Sequence, residues 1–166
     1  MDAQTLVRYA EEKDAPLILD LVKGLAEYEH LSGELKATEE DLRRFVFKEK
    51  KAEALICEHE GGAAGFALFF HSFSTFVGKP GIYIEDIFVK PEFRGRGLGK
   101  LLFSSVAKIA ARRDCGRLEW ACLDWNKPSI AFYESQGARP LAEWTTYRLS
   151  GQAIRELAKN GATGLK

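Results

Sequence analysis

One stretch of the chain reads Ile82-Tyr-Ile-Glu-Asp-Ile-Phe-Val-Lys-Pro-Glu-Phe-Arg-Gly-Arg-Gly-Leu-Gly-Lys-Leu-Leu-Phe103. It begins as an apolar strand that Pro91 ends, continues as a glycine-rich turn and finishes as a helix. The three glycines let backbone N–H groups come close to a ligand at the positive end of that helix. Positively charged side chains stand beside them. The stretch therefore predicts an anion-binding site, with its glycines at Gly95, Gly97 and Gly99 and its charges at Arg94, Arg96 and Lys100.

Two widespread phosphate-binding signatures do not fit this turn. A P-loop requires Ser or Thr after its lysine, whereas Leu101 follows Lys100, and a Rossmann fingerprint has the spacing Gly-x-Gly-x-x-Gly. The order Arg94-x-x-Gly97-x-Gly99 at the start of an amphipathic helix instead resembles the pyrophosphate loop of the GNAT N-acetyltransferases. The resemblance implies that the anion is the pyrophosphate of acetyl-CoA.

Length and charge are those of a single enzyme domain. At 166 residues the chain can bury a core without disulfides or a metal, so we expect one domain over residues 1–166. The 24 Lys and Arg residues balance the 24 Asp and Glu residues. The overall charge therefore favours neither nucleic acid nor a membrane surface as a partner.

The cysteines and the N-terminus indicate a cytoplasmic protein without a bound metal. Cys57, Cys115 and Cys122 are an odd number and lack Cys-x-x-Cys spacing, which favours buried free thiols. No apolar run approaches the roughly 18 residues of a membrane span, and the charged N-terminus does not resemble a signal peptide.

The first third of the chain predicts one strand and two helices. Thr5–Ala10 has the composition of a strand, and Asp14 is expected to cap a helix whose apolar residues recur at helical spacing. Residues 27–36 are polar and are expected to form a loop. A capping box at Thr38–Asp41 predicts a second short helix. That helix is expected to bury Leu42, Phe45 and Val46.

The rest of the chain predicts a mixed sheet flanked by helices. Glu53–Glu58 and Ala64–Phe73 are expected to form an antiparallel hairpin with its turn at Glu60-Gly61-Gly62. The later predicted elements are a strand over 82–89, a helix over 97–113, a strand over 117–123, a helix from Asn126 to a cap at Gly137, a strand over Leu141–Leu149 and a helix over Gln152–Lys159. This order predicts a mixed α/β fold with a mostly antiparallel sheet, and it matches the GNAT fold.

Two carboxylates stand inside the apolar strand of residues 82–89. Strand alternation places Glu85 on one face and Asp86 on the other. A buried carboxylate is costly unless it is paired, hydrogen-bonded or open to a wet cleft. We expect Glu85 to face a cleft and to accept the proton of a substrate ammonium, directly or through a water. Asp86 either contacts the substrate as well or makes a structural hydrogen bond.

A second segment carries a GNAT pattern. Asn126-Lys-Pro-Ser-Ile-Ala-Phe-Tyr-Glu-Ser-Gln-Gly137 resembles the family's Asn-x-x-Ser/Ala-x-x-x-Tyr-x-x-x-Gly. The resemblance implies that Tyr133 is the general acid that protonates the departing thiolate, and that Asn126 and Ser129 help to hold the donor. A phenol with a pKa of about 10 keeps its proton at pH 7. The residues alone leave open a packed aromatic at Tyr133 and a helix cap at Asn126.

Further segments resemble the diamine N-acetyltransferases of the spermidine/spermine type and their thialysine-acetylating relatives. The matching segments are Leu25–Leu31, Phe76–Lys79, Tyr83–Val89, Leu123–Asn126 and Phe132–Tyr133. The resemblance implies a homodimer with Glu85 as the base. The loop before the strand of residues 82–89 is one residue longer than in the polyamine enzymes, and Phe76 stands where Trp is common, so spermidine itself is not assigned.

We therefore expect direct acetyl transfer from acetyl-CoA to a primary amine of a small molecule, without a covalent acyl-enzyme. The family implies that a backbone amide, that of Ile87, stabilises the developing oxyanion. The residues expected to bind the donor are Ile87, Phe88, Val89, Arg94, Gly95, Arg96, Gly97, Leu98, Gly99, Lys100, Asn126, Ser129 and Tyr133. Those expected to bind the amine are Glu27, Tyr28, Glu29, Phe76, Glu85 and Asp86.

Three alternatives stay open. Residues 27–29 form either a negative site for a second amine or an ordinary solvated helix end. The acceptor is either a small molecule or an amine of a protein or peptide. A third possibility is an acyl-CoA-binding module without turnover.

Overall fold

The computed structural model describes residues 5–165. Their strands are β1 (Thr5–Tyr9), β2 (Glu53–His59), β3 (Gly62–Ser74), β4 (Lys79–Val89) and β5 (Arg117–Trp120). Their α-helices are α1 (Ala15–Tyr28), α2 (Glu39–Leu42), α3 (Leu98–Arg112), α4 (Lys127–Ser135) and α5 (Gln152–Ala158). Residues up to Ala121 form one compact unit, and residues from Cys122 form a second. No helix within residues 5–165 is both long and apolar enough to cross a membrane.

The five strands form one sheet in the order β1-β2-β3-β4-β5. The first three pairs are antiparallel and the last, β4 with β5, is parallel. Parallel neighbours need a crossover connection, which α3 provides. The prediction of a mostly antiparallel mixed sheet is therefore confirmed, and all of this sheet belongs to the first unit.

A helix covers each face of the sheet. The apolar stripe of α1, with Ile18 and Leu21 essentially inaccessible, packs in one buried cluster with Ile56, Phe66 and Phe88 of the strands. Alternate strand residues point to the opposite face, where α3 contacts all five strands. The two helices therefore hold β4 in place from both sides.

The start of α1 differs from the prediction in its hydrogen bonding. Asp14 is the N-cap residue, but its side chain makes no cap bond to α1. It instead accepts two hydrogen bonds from the Arg8 guanidinium, at 2.7 and 3.0 Å, and a third from the amide of Glu11. The bonds from Arg8 lower the pKa of Asp14. Asp14 therefore ties α1 to β1 rather than capping the helix.

The second helical region also departs from the expectation. Thr38 and Asp41 form the predicted capping box, but α2 is only one turn long and continues as a π-helix, Arg43–Lys48. The wider π turn changes which side chains face inward. Val46 is buried as predicted, whereas Phe45 is 39% exposed, so the prediction of a buried Phe45 is wrong.

The predicted strand boundaries shift by a few residues. The hairpin turn lies at Glu60 and Gly61, with φ of 52° and 78°, which is typical of a two-residue type I′ turn. β4 begins at Lys79 rather than Ile82, because residues expected in a loop pair with β3. β5 ends at Trp120 rather than Leu123. Helix α1 likewise continues to Tyr28, into the polar segment expected to be a loop.

The second unit contains two of the three elements expected there. α4 begins at Asn126 and is followed by Gly137 with φ of 87°, and α5 spans Gln152–Ala158. The strand predicted over Leu141–Leu149 is absent, since these residues have no regular structure and are exposed. A strand forms only when a neighbouring strand satisfies its backbone groups, and local sequence does not supply that neighbour.

Candidate functional site

The glycine loop, defined here as residues 94–97, connects β4 to α3 with its backbone open to solvent. Gly95 and Gly97 have φ of 76° and 80°, a conformation that favours glycine. No atom lies within 4 Å of the position a Cβ would take at either glycine. Gly97 is the N-cap of α3, and no side chain caps this helix. The first amides of α3 therefore have no intrahelical acceptor and can bind an anion.

Arg94 is held by both β4 and α1. Its Nε donates a hydrogen bond of 3.0 Å to the carbonyl oxygen of Val89. Its guanidinium carbon lies 4.4 Å from the centre of the Tyr28 ring and 5.7 Å from that of Phe88. The end of α1 is therefore fixed against the base of the glycine loop, and Arg94 is not merely a solvated charge.

A β-bulge in β4 sets the direction of the two carboxylates. Asp86 pairs with Leu68 and Ile84 pairs with Phe69, so Glu85 is an extra residue with no partner in β3. Bulges of this kind redirect side chains and are frequent beside active sites. Glu85 is exposed and Asp86 is partly buried. Their exposure therefore differs, but the bulge interrupts the alternation from which opposite faces were predicted, and the cleft predicted for Glu85 remains a prediction.

Strand β5 pairs along its whole length, but with only the first part of β4. The last paired residues are Ile84 and Trp120. Residues 85–89 of β4 continue toward the glycine loop without a partner in β5. We call this stretch, which includes the backbone of Ile87, the open edge of β4. That the open edge and the glycine loop bind acetyl-CoA remains a prediction.

Three carboxylates interact electrostatically at this edge. Burial, and then the negative charges of Glu85 and Glu29, raise the pKa of Asp86 to about 6. Burial also raises the pKa of Glu29, at the end of α1. At neutral pH Asp86 is therefore mostly ionised, although its burial and the two neighbouring negative charges disfavour the ionised form. A cation bound between these groups would relieve that repulsion.

Not all of the other residues predicted to bind the substrate lie near these three carboxylates. Tyr28 lies against Arg94, whereas Glu27 is exposed on α1. Phe76 is fully exposed in the turn between β3 and β4, which is at the opposite end of β4 from the glycine loop. The carboxylates lie six or seven residues along the strand from its start, so about 20 Å of strand separates that turn from them. A substrate contact by Phe76 remains a prediction.

The second unit positions the predicted donor and acid residues on α4. Asn126 is 5% exposed, and its side-chain oxygen accepts a hydrogen bond of 3.3 Å from the amide of Ser129. Asn126 is thus a helix cap, as one of the two alternatives predicted. Tyr133 is half-buried one turn before the end of α4, with its ring centre 5.4 Å from that of Phe132. Their contributions to binding and catalysis remain predictions.

Sequence reasoning missed a group of side chains around Arg96. His59 and Glu60, at the turn after β2, and Phe93, just before the glycine loop, all lie close to its guanidinium. His59 and Glu60 are more than 30 positions from Arg96 in the chain and reach it only through the sheet. No local pattern signals this arrangement.

The cysteines are all free, and Cys57 is buried, which raises the pKa of its thiol. Within residues 5–165 no group of three or more His, Cys, Asp or Glu side chains is placed to hold a metal ion.

Comparison with known proteins places this geometry in a family. A protein-family model described as the acetyltransferase (GNAT) family matches residues 16–138. The chain is 41% identical to the thialysine N-epsilon-acetyltransferase of Sus scrofa, with 94% of this chain and 98% of that protein covered. It is 47% identical to the L-ornithine N5-acetyltransferase of Arabidopsis thaliana over 58% of this chain and 42% of that protein.

The fold is also found among solved structures. An integron cassette protein from the mobile metagenome of V. cholerae superimposes with a TM-score of 0.78 at 25% identity, covering 96% of this chain and 100% of the other. The family match spans most of the chain, and the sheet, the open edge and the glycine loop agree with it. The chain therefore belongs to the GNAT family and is an acetyltransferase.

Proposed function

We propose that the protein transfers acetyl from acetyl-CoA directly to a primary amine of a small molecule that carries a second positive charge. A diamine or a lysine-like amino acid has this form. The observation that carries the proposal is the group of three acidic side chains, Glu29, Glu85 and Asp86, at the open edge of β4. This edge leads directly to the glycine loop, so donor and acceptor can meet there.

The donor site is formed by backbone more than by side chains. The backbone of Ile87, Phe88 and Val89 can pair with the extended part of acetyl-CoA along the open edge. The amides of residues 95–100 then face its pyrophosphate, with Arg94, Arg96 and Lys100 as nearby positive charges. When bound, acetyl-CoA supplies an activated acetyl group.

The proton transfers are assigned to Glu85 and Tyr133. An alkylammonium with a pKa of about 10.4 pays about 4.6 kcal/mol to become a nucleophile at pH 7, and Glu85 can accept that proton. Asp86 and Glu29 hold the second positive charge of the substrate. The amide of Ile87 donates a hydrogen bond to the developing oxyanion. Tyr133 protonates the departing thiolate, and Asn126 and Ser129 fix the start of its helix.

The names of two relatives support this substrate class. One is named for thialysine and the other for L-ornithine. Each of these compounds has a distal amine and an α-ammonium, so each is a small molecule with two cationic groups. A site with three carboxylates suits such a substrate better than a neutral acceptor or one with a single charge.

An acetyl-CoA consumption screen tests the proposal. The panel contains diamines, polyamines, lysine analogues, aminoglycosides and peptides, and thiol release is followed at pH 7.5 or so. We expect kcat/KM to be highest for one or more small amines with two cationic groups. Turnover of peptides alone would overturn the small-molecule assignment. Tight binding of CoA without thiol release on the whole panel would favour a non-catalytic binding module instead.

We further propose a homodimer formed through the C-terminal segment, defined here as residues 139–150. This segment has the composition of a strand but no strand partner, and its large apolar side chains are exposed, with Trp144 at 76% and Tyr147 at 91%. The sheet also ends at β5, which is only four residues long. An edge strand and an unpaired strand-forming segment are complementary, and a second copy of the chain supplies both.

We also propose a cytoplasmic location and a single domain. Three free cysteines suit a reducing cytoplasm. The family match crosses the boundary between the two units, since it covers residues 16–138. We therefore regard both units as parts of one N-acetyltransferase domain with no metal requirement.

A further inference from the structure

Three side chains surround the guanidinium of Arg96 beside the glycine loop. Nε2 of His59 lies 3.3 Å from Nη1 of Arg96, and Oε1 of Glu60 lies 3.8 Å from the same nitrogen. The guanidinium carbon of Arg96 lies 5.7 Å from the centre of the Phe93 ring. His59 and Glu60 stand at the turn between β2 and β3, so this hairpin reaches the loop. Arg96 is therefore held at a defined position before any ligand binds.

The contacts of His59 determine where its proton lies. Nδ1 of His59 is 2.7 Å from Oγ1 of Thr5, on the neighbouring strand β1. A guanidinium can only donate hydrogen bonds, so the nitrogen that faces Arg96, Nε2, must offer its lone pair. Nδ1 then carries the hydrogen and donates it to Thr5. Both contacts are satisfied by a neutral imidazole in this single tautomer.

His59 is the fixed member of the pair with Arg96. Its side chain is only 13% exposed, and its ring meets that of Phe93 edge-on at 6.0 Å, so it cannot turn away freely. Arg96 is the more exposed partner, at 47%. Oε1 of Glu60 lies 3.7 Å from Nε2 of His59 and 3.8 Å from Nη1 of Arg96, so it stands beside both residues.

We propose that His59 is a positioning residue for donor binding: in its neutral form it holds Arg96 beside the glycine loop, where Arg96 pairs with the pyrophosphate of acetyl-CoA. The inference rests on the proposed function, because it takes acetyl-CoA as the anion bound by the loop. Neither His59 nor Thr5 touches the donor in this account.

A double-mutant cycle tests whether His59 acts through Arg96. His59→Phe keeps an aromatic ring against Phe93 but removes the acceptor. We expect it to raise the KM for acetyl-CoA about threefold to tenfold, with kcat and the KM for the amine unchanged within about twofold. In an Arg96→Met background the same substitution should have no further effect. An equal rise in both backgrounds would show a merely structural role and overturn the inference.

A second variant restores the acceptor that His59→Phe removes. His59→Gln keeps an oxygen acceptor for Arg96. We expect its CoA affinity, measured by calorimetry, to stay within about twofold of the wild type, whereas His59→Phe loses affinity by about threefold to tenfold. An equal loss of affinity in the two variants would overturn the inference. A wild type that binds no CoA and shows no thiol release would refute the proposed function instead, whereas normal turnover without coupling would refute only the role of His59.

Discussion

Two regions of the molecule differ in how well their sequence patterns predict their structure. The first runs from β4 through the glycine loop to α3, and the second is the C-terminal segment. Both carry clear sequence patterns, but only the first adopts the structure that its pattern predicts. The first region lies in a sheet between two helices, so its partners come from the same compact unit. The C-terminal segment has strand composition without a strand partner. A sequence pattern thus predicts that a segment prefers the strand conformation, whereas the presence of a neighbouring strand decides whether the strand forms.

This contrast has a functional counterpart. The first region contains most of the predicted donor contacts and two of the three acidic residues, Glu85 and Asp86. We expect its variants to change kinetics while leaving the oligomeric state intact. The C-terminal segment contains no predicted catalytic residue. Its variants should first change assembly.

The largest effect is expected from the two catalytic residues. Glu85→Gln removes the proton acceptor and Tyr133→Phe removes the acidic proton, while each keeps the shape of the side chain. Steady-state kinetics should show kcat reduced by about 10²-fold or more in each, with the KM for acetyl-CoA within about twofold of the wild type. Size-exclusion chromatography should show no change in mass. Unchanged turnover in both variants would refute the assignment of acid and base.

The next largest effect concerns the C-terminal segment. Tyr147→Asp places a charge on a side chain that is exposed in the single chain but covered in the proposed dimer. We expect the dimer dissociation constant to rise at least about tenfold, because a buried unpaired charge is costly. Light scattering over a dilution series measures it. Ser150→Asp adds the same charge at the border of the segment and is the control. A wild type that is monomeric at every concentration would contradict the dimer.

The glycine loop should respond more weakly. Gly97→Ala forces a side chain into a backbone conformation with φ of 80°, which costs about 1 kcal/mol. If the loop binds the donor in this conformation, the KM for acetyl-CoA should rise about fivefold with little change in kcat. Gly33→Ala is the matched control, because Gly33 has an ordinary φ and open space around its Cβ position. An equal response to both substitutions would indicate a general loss of stability.

The last prediction concerns stability rather than activity, and its pH dependence has a definite sign. The pKa of Asp86 is raised from 3.8 to about 6 in the folded protein, chiefly by burial. Its contribution to stability is therefore greatest below pH 4 and is lost as pH rises toward 6. Asp86→Asn removes this loss, so the variant should gain up to about 3 kcal/mol relative to the wild type between pH 4 and pH 7.

Chemical denaturation at the two pH values measures the gain for Asp86→Asn. Asp20→Asn is its control, because it makes the same chemical change at an exposed position of α1. A constant difference between Asp86→Asn and the wild type across this pH range would contradict the burial of an ionised Asp86.

Much of the fold was predictable because its signals are local. The capping box at Thr38, the turn at Glu60 and the left-handed Gly97 depend on neighbouring residues alone. Three features were not predicted: the π-helix that exposes Phe45, the bonding of Asp14 to Arg8, and the missing C-terminal strand. The bonding of Asp14 joins α1 to β1, and a strand needs a neighbouring strand, so neither follows from the helix or strand pattern of its own segment.

In the candidate site, too, some features follow from local sequence and others do not. The sequence indicated two carboxylates in an apolar strand, but strand alternation did not reveal the bulge that leaves Glu85 without a partner in β3. The electrostatic interaction of Asp86 with Glu29 joins β4 to the end of α1, more than 50 positions away. The same holds for His59 and Arg96. Local motifs thus indicate the chemistry, whereas the sheet determines which charges act together.

The most direct test of the account compares two acceptors of equal length, a diamine and the corresponding monoamine. If the acidic group binds a second positive charge, kcat/KM should favour the diamine by about tenfold or more, and Glu29→Gln should reduce most of that preference. Product masses should show a single acetyl group on the diamine. Equal kcat/KM values for the two amines in the wild type would contradict the central claim that the carboxylates of α1 and β4 select a substrate with two positive charges.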